Sequence, residues 1–244
     1  MERPFRLFDW SISYSENDKY KPKCMLNDVR LYDHCLSKRE IEEIATGLLL
    51  HYKLDAPILN KTVISDVSPY ENHGALLKEG QYESSSIHYN QALKLNMNNY
   101  ITCGRRSNAD NVSASFWIKP SMYPANNTVI FADYSSTLAF GFYDSTKAII
   151  SCAGSDSKVA LNVNSYWKND EWNHIVVTKN NTDYQCYING NKLELSTDMN
   201  SWIHYAEDML YIGCRNSGST NTFYNGLISD FRFYGSTLTD DKIK

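Results

Sequence analysis

The chain has 244 residues, with 24 Lys and Arg against 28 Asp and Glu, a net charge of −4, and an excess of Tyr at 18. That length buries a full-sized core without disulfide staples, and the near-balanced charge leaves no electrostatic footprint for nucleic acid. The stretch "MERPFRLFDWSISYSENDKYKPK" has no apolar h-region and the longest apolar run, Leu48–Leu50, is far too short to span a bilayer, so neither a signal peptide nor membrane insertion is read from the sequence.

The first readable element is "LNDVRLYDHCLSKREIEEIA" at 26–45. Its first half alternates as a strand does. A turn follows, then a short helix with Ser37 as N-cap, Glu40 three residues on, apolar Ile41 and Ile44, and Gly47 as the stop.

From residue 48 onward short strand-like runs are broken by Asn, Ser, Gly and Asp. "NVSASFWIKP" sets Val112, Ala114, Phe116 and Ile118 on one face and Ser113, Ser115, Trp117 and Lys119 on the other. "TVIFADY", "LAFGFYD", "KAIISCAG" and "KVALNVN" follow at the rhythm of an antiparallel sandwich. In "EWNHIVVTKNNTDYQCYINGNKLEL", Asn180-Asn181 breaks one strand pair and Asn189-Gly190 predicts a type I′ turn in the next. No helical period of useful length occurs between 48 and 235. The six cysteines (24, 35, 103, 152, 186, 214) show no zinc-ligand spacing, and 103, 152, 186 and 214 sit in apolar runs, so buried thiols are expected rather than disulfides.

The last element, "LISDFRFYGSTLTDDKIK" at 227–244, repeats the first. With Leu26 set on Ile228, an offset of 202 residues, Asp28, Arg30, Tyr32, Leu36 and Ile41 meet identical residues at Asp230, Arg232, Tyr234, Leu238 and Ile243. Ser37 meets Thr239, also an N-cap residue. A repeat of that length is a whole sandwich domain. Residues 1–47 therefore read as the C-terminal remnant of a preceding repeat, a strand plus capped helix, and residues 48–244 as a second copy.

In order, "SDVSPYENHGAL", "ALKLNMNNYITC", "VSASFWIKP", "EWNHIVVTKNNTDYQCYINGNKL", "LYIGCRN" and "FYNGLISDFRFYGSTLT" resemble the successive blocks of a laminin-G-like domain of the concanavalin A-like lectin/glucanase superfamily. The resemblance implies an all-β fold, a jelly-roll sandwich of two antiparallel sheets, preceded here by the short strand-plus-helix segment. The tandem junction looks most like modules of bacteriophage tail or other virion structural proteins, with related modules in bacterial surface proteins. A virion location, or a bacterial cell surface in its place, follows from that likeness, as do other virion or surface-protein chains as partners.

The superfamily includes glycosidases, which place two carboxyl groups on one strand face as E-x-D-x-x-E. No such run is present. Glu194 and Asp198 lie four apart, Glu207 and Asp208 are adjacent, and both pairs read as solvated surface groups. His174 reads as a half-buried sheet residue. No catalytic residues are assigned, and no enzyme activity is expected.

The expected function is non-catalytic recognition of a glycan or cell-surface polysaccharide, with a purely structural spacer or decoration domain or a protein–protein interaction domain of a virion as the alternative, and a glycoside hydrolase ranked below both. Sugars are held by aromatic faces beside amide and carboxylate groups. Three loops have that chemistry: "ADYSST" with Asp133 and Tyr134, "NSYWKND" with Tyr166 and Trp167, and "MNSWIHYAED" with Trp202, His204 and Tyr205. No cofactor is required. The resemblance also admits a calcium ion at the rim, where Asp133 is the ligand to look at, although Ser135-Ser136-Thr137 after it brings no second acid.

Overall fold

The computed structural model describes residues 32, 35–55, 62–78, 80–85, 87, 89–96, 99–104, 110–121, 127–133, 138–151, 158–197, 209–216 and 222–243. The chain divides into two compact units, Met1–Leu36 and Ser37–Lys244. Only three residues of the first unit are described, and strand 26–31 lies outside the described residues. The helix predicted near residue 40 belongs to the second unit.

That unit runs α1 (Lys38–Ala45), β1 (Leu48–Tyr52), β2 (Val63–Ile64), β3 (Gly74–Leu76), β4 (Gln81–Ser84), β5 (Gln91–Leu95), β6 (Ile101–Cys103) and β7 (Asn111–Pro120). It continues through β8 (Thr128–Ala132), β9 (Ala139–Phe142), β10 (Ala148–Ser151), β11 (Lys158–Ala160), β12 (Asn173–Asn180) and β13 (Asp183–Ile188). The last elements are β14 (Asn191–Lys192), β15 (Leu195–Thr197), β16 (Leu210–Ile212), β17 (Gly226–Tyr234) and α2 (Asp240–Ile243).

The strands make two antiparallel sheets. One has the order β14-β13-β12-β7-β17-β5-β4, with β1 also on β17, and the other β15-β11-β10-β9-β8-β16-β6-β3-β2. This is the expected all-β sandwich. Alternation explains it: Val112, Ala114, Phe116 and Ile118 of β7 are all fully buried between the sheets, as are Ile175 and Val177 of β12 and Phe231 and Phe233 of β17. At the centre Phe116 stacks on Phe231 at 5.7 Å and meets Phe131 of the opposite sheet edge-on at 5.6 Å. The second of these contacts joins the two layers.

The turns follow their sequences. Asn189 and Gly190 both take positive φ (51° and 77°), as a type I′ hairpin requires. Gly47, with φ 72°, ends α1. Cys103, Cys186 and Cys214 are buried free thiols, Cys35 is free and exposed, and Cys24 and Cys152 lie outside the described residues. The polar block "SDVSPYENHG" is architectural. Asp66 accepts from the N–H groups of His51 (2.7 Å), Ser68 (2.9 Å) and Asn72 (2.8 Å) and from the Ser68 hydroxyl (2.7 Å), which fixes the loop after β2 to β1.

The two halves of the 26–45/228–244 repeat share a helix register. α1 begins at Lys38 and α2 at Asp240, the offset of 202 that aligns the sequences. Ile243 is buried with Val176, Tyr187 and Leu238, whereas its counterpart Ile41 is 54% exposed.

Candidate functional site

β17 has β7 along one side, but its other neighbour changes midway. β5 pairs with Gly226–Ile228 and β1 with Phe231–Tyr234. At the changeover the ladder to β7 is irregular between Ser229 and Arg232, and the Asp230 N–H donates to the Lys53 carbonyl at 3.0 Å. Asp230 there takes a left-handed φ of 53°, a conformation Asp tolerates better than most side chains. The irregularity turns its carboxylate toward the face of the sheet that points away from the core.

On that face lies a groove of about 560 Å³. β7 contributes Ser115 and Trp117, β12 His174 and Val176, and β17 Asp230, Arg232 and Tyr234. Glu42 of α1 and Lys242 and Ile243 of α2 also line it. Trp117 is half-buried and stacks on His174, with ring centroids 4.7 Å apart and planes 21° apart. His174 Nε2 and Ser115 Oγ share a 2.9 Å hydrogen bond, and the His174 backbone N–H donates to Asn189 Oδ1 at 2.9 Å. The Ser115 bond orients the imidazole, and the backbone bond anchors the strand that carries it.

Beside it sits a partly buried polar cluster. His51 of β1, wholly buried, donates from Nε2 to Asp230 Oδ1 at 2.7 Å. Arg232 Nε donates to the same oxygen at 3.0 Å, and the Tyr89 hydroxyl reaches it at 3.5 Å. Burial opposes ionisation of Asp230, but the His51 hydrogen bond and the Arg232 guanidinium outweigh it and hold the carboxyl at about 2. Burial likewise disfavours charge on Arg232, and the Asp230 carboxylate more than offsets it, so the guanidinium is held more firmly protonated. Burial and the Asp230 charge push the Tyr89 phenol up. The groove therefore offers an aromatic face next to an acceptor held ionised at neutral pH and a guanidinium.

The residues predicted from sequence fall elsewhere. Asp133 directly follows β8 and is buried, 2% exposed. Trp167 is in the core, edge-on to Phe142 at 5.0 Å, and Tyr166 beside it is exposed. The turn carrying both is tied down by Asn173, whose amide donates to the Lys168 carbonyl at 2.7 Å, and by Asn189, which donates to the Tyr166 carbonyl at 3.0 Å. Tyr134, Trp202, His204 and Tyr205 lie outside the described residues. Among the described residues no three His, Cys, Asp or Glu side chains converge as metal ligands, at Asp133 or elsewhere. No helix among them is long and apolar enough to cross a membrane.

Sequence reasoning missed the groove, although its parts were legible. Alternation places Ser115 with Trp117, and Asp230 with Arg232 and Tyr234, on single strand faces. What alternation does not say is that β7 and β17 are neighbours, which is what joins the two sets.

Residues 94–244 match the family described as Laminin_G_3, of the concanavalin A-like lectin/glucanases superfamily. Among solved structures the chain is similar to domain 4 of AbnA, a GH43 extracellular arabinanase from Geobacillus stearothermophilus, in complex with arabinotriose. That likeness has a TM-score of 0.59 at 21% identity, covering 80% of this chain and 96% of that one. It is also similar to the binding domain of botulinum neurotoxin DC in complex with rat synaptotagmin II, with a TM-score of 0.55 at 15% identity over 81% of this chain and 50% of that one. The botulinum neurotoxin type G receptor binding domain gives a TM-score of 0.57 at 17% identity, over 81% and 50%. The chain spans about half the length of these toxin binding domains. At such identities the likeness is one of fold. No curated protein sequence matches the chain.

Proposed function

The chain belongs to the laminin-G-like family of the concanavalin A-like lectin/glucanase superfamily, and we propose that it is a non-catalytic recognition module that binds carbohydrate in the groove over Trp117. The observation that carries this reading is the Trp117–His174 stack beside the Asp230–Arg232 pair on one rigid sheet face. Sugars need both halves of that arrangement, an apolar ring face for their C–H groups and fixed polar groups for their hydroxyls. The neighbours in fold include a domain solved with arabinotriose, which agrees with this class of ligand.

The non-catalytic part of the reading is supported by the state of the carboxylates. Glycoside hydrolysis uses one protonated acid and one ionised partner across the scissile bond. Asp230 is bound on Oδ1 by three donors and held ionised, and Glu42 is exposed on α1.

A second location is the rim, where the Tyr166 ring is exposed on a turn anchored by Asn173 and Asn189. We place the module in a tandem array within a bacteriophage tail or a bacterial surface protein, residues 1–47 closing the preceding repeat. The shared register of α1 and α2 supports that repeat. A spacer or decoration domain is the alternative role.

A glycan and cell-wall polysaccharide array, run with calcium and again with EDTA, tests the proposal. Binding lost in Trp117→Ala and kept in Tyr166→Ala places the ligand in the groove. The reverse places it at the rim, and binding by neither protein nor variant in either buffer leaves the spacer reading.

A further inference from the structure

The groove is lined by acidic and basic side chains in equal number. Its lining carries two acidic side chains, Glu42 and Asp230, and two basic ones, Arg232 and Lys242, besides His174. The cation at the floor is already engaged, since Arg232 Nε donates to Asp230 Oδ1 at 3.0 Å and the guanidinium also meets Tyr234. A ligand carboxylate or phosphate arriving there would meet a guanidinium whose charge is matched, next to a carboxylate that repels it. Recognition of an acidic sugar wants the opposite, an unmatched guanidinium free to bind bidentately.

The hydrogen-bonding capacity points the same way. Oδ1 of Asp230 receives His51, Arg232 and Tyr89, while Oδ2 accepts no hydrogen bond from any described residue and the side chain lines the groove. An ionised carboxylate only accepts, so the partner that Oδ2 lacks is a donor. A sugar hydroxyl is such a donor. The wholly buried His51 keeps the carboxylate turned so that Oδ1, and not Oδ2, is consumed.

Granting the carbohydrate reading above, we infer that the groove takes a neutral sugar, its C–H face on the Trp117 ring and one hydroxyl donating to Asp230 Oδ2. Acidic saccharides such as sialylated or uronate chains are not its ligands. His51 is a positioning residue, acting on the sugar through Asp230.

Isothermal titration of the full 244-residue chain with arabinotriose, cellotriose and mannotriose as neutral probes, and 3′-sialyllactose and trigalacturonate as acidic ones, tests this. Each is run at about 50 and about 500 mM NaCl, on either side of the range where screening removes surface charge attraction. The expected result is binding of a neutral probe, unchanged within about twofold between the two salts and weakened about tenfold or more in Asp230→Asn, whose melt checks its fold. If that variant does not fold, the salt comparison on the unaltered protein decides by itself. Binding of the acidic probes alone, or an affinity that falls about tenfold with salt, overturns the ligand class and leaves the carbohydrate reading standing. Neutral binding that survives both Asp230→Asn and Trp117→Ala takes the sugar out of this groove and overturns the inference. Absence of binding to every sugar overturns the carbohydrate reading, and the inference falls with it.

Discussion

His51 and Asp230 stand 179 residues apart in the chain and 2.7 Å apart in the fold, Nε2 to Oδ1, one at the start of the sandwich and the other in its closing strand. The pair ties β1 to the point where β17 changes neighbours, and its energetics set a pH dependence. A carboxyl held at about 2 in the fold, against 3.8 ordinarily, contributes about 2 kcal/mol. Because the folded value is the lower one, that stability is complete above about pH 4 and is lost as pH falls toward about 2. Asp230→Asn is expected to be less stable by about 2 kcal/mol at neutral pH, and to converge on the unaltered protein near pH 2. Urea unfolding at a series of pH values measures this, and a gap that stays constant with pH would sink it.

Trp117 is half-buried on the outer face and makes no part of the core between the sheets. Its replacement by Ala is expected to cost about 1 kcal/mol of stability while weakening sugar binding about tenfold or more. Thermal melts and calorimetric titration of one preparation separate the two effects.

Asp66 gathers four hydrogen bonds in a site that is 5% exposed. Asp66→Ala strands three buried or half-buried N–H donors, and the expected loss is about 3 kcal/mol. For a domain of this size that lowers the melting temperature by about 6–12 °C. A shift under about 2 °C would show that solvent satisfies the loop.

Phe231 touches both Phe116 of its own sheet and Phe131 of the opposite one, and is fully buried. Phe231→Ala is expected to cost about 3–5 kcal/mol, near the limit of what a domain tolerates. Chemical denaturation gives the value, and a cost below about 1 kcal/mol would mean the layers are held elsewhere.

The repeat makes a paired prediction. Ile243 is 5% exposed and packs on Val176 and Tyr187, while Ile41 at the matching position is 54% exposed. Ile243→Ala is expected to cost about 2 kcal/mol and Ile41→Ala under about 0.5 kcal/mol in this chain. Equal costs for the two would mean that residue 41 packs as residue 243 does.

By itself the sequence determined the layers. Period-two alternation is a local property, so Val112 through Ile118 could be assigned to the core, and Asn189-Gly190 to a tight turn, without knowing any partner. The closing strand and helix were legible twice over, because the stretch at 26–45 repeats the stretch at 228–244. The site was not legible in this way. Trp167, an aromatic in a polar turn, reads as a rim residue until Phe142 is seen packed against it, since burial depends on what another strand brings. The groove joins Ser115, Trp117, His174 and Asp230, with His51 behind Asp230, five residues of four strands whose neighbour relations are long-range. Only the tertiary structure decides those, because strand order is fixed by how two sheets bury their apolar faces together, and no local pattern encodes which strands will meet.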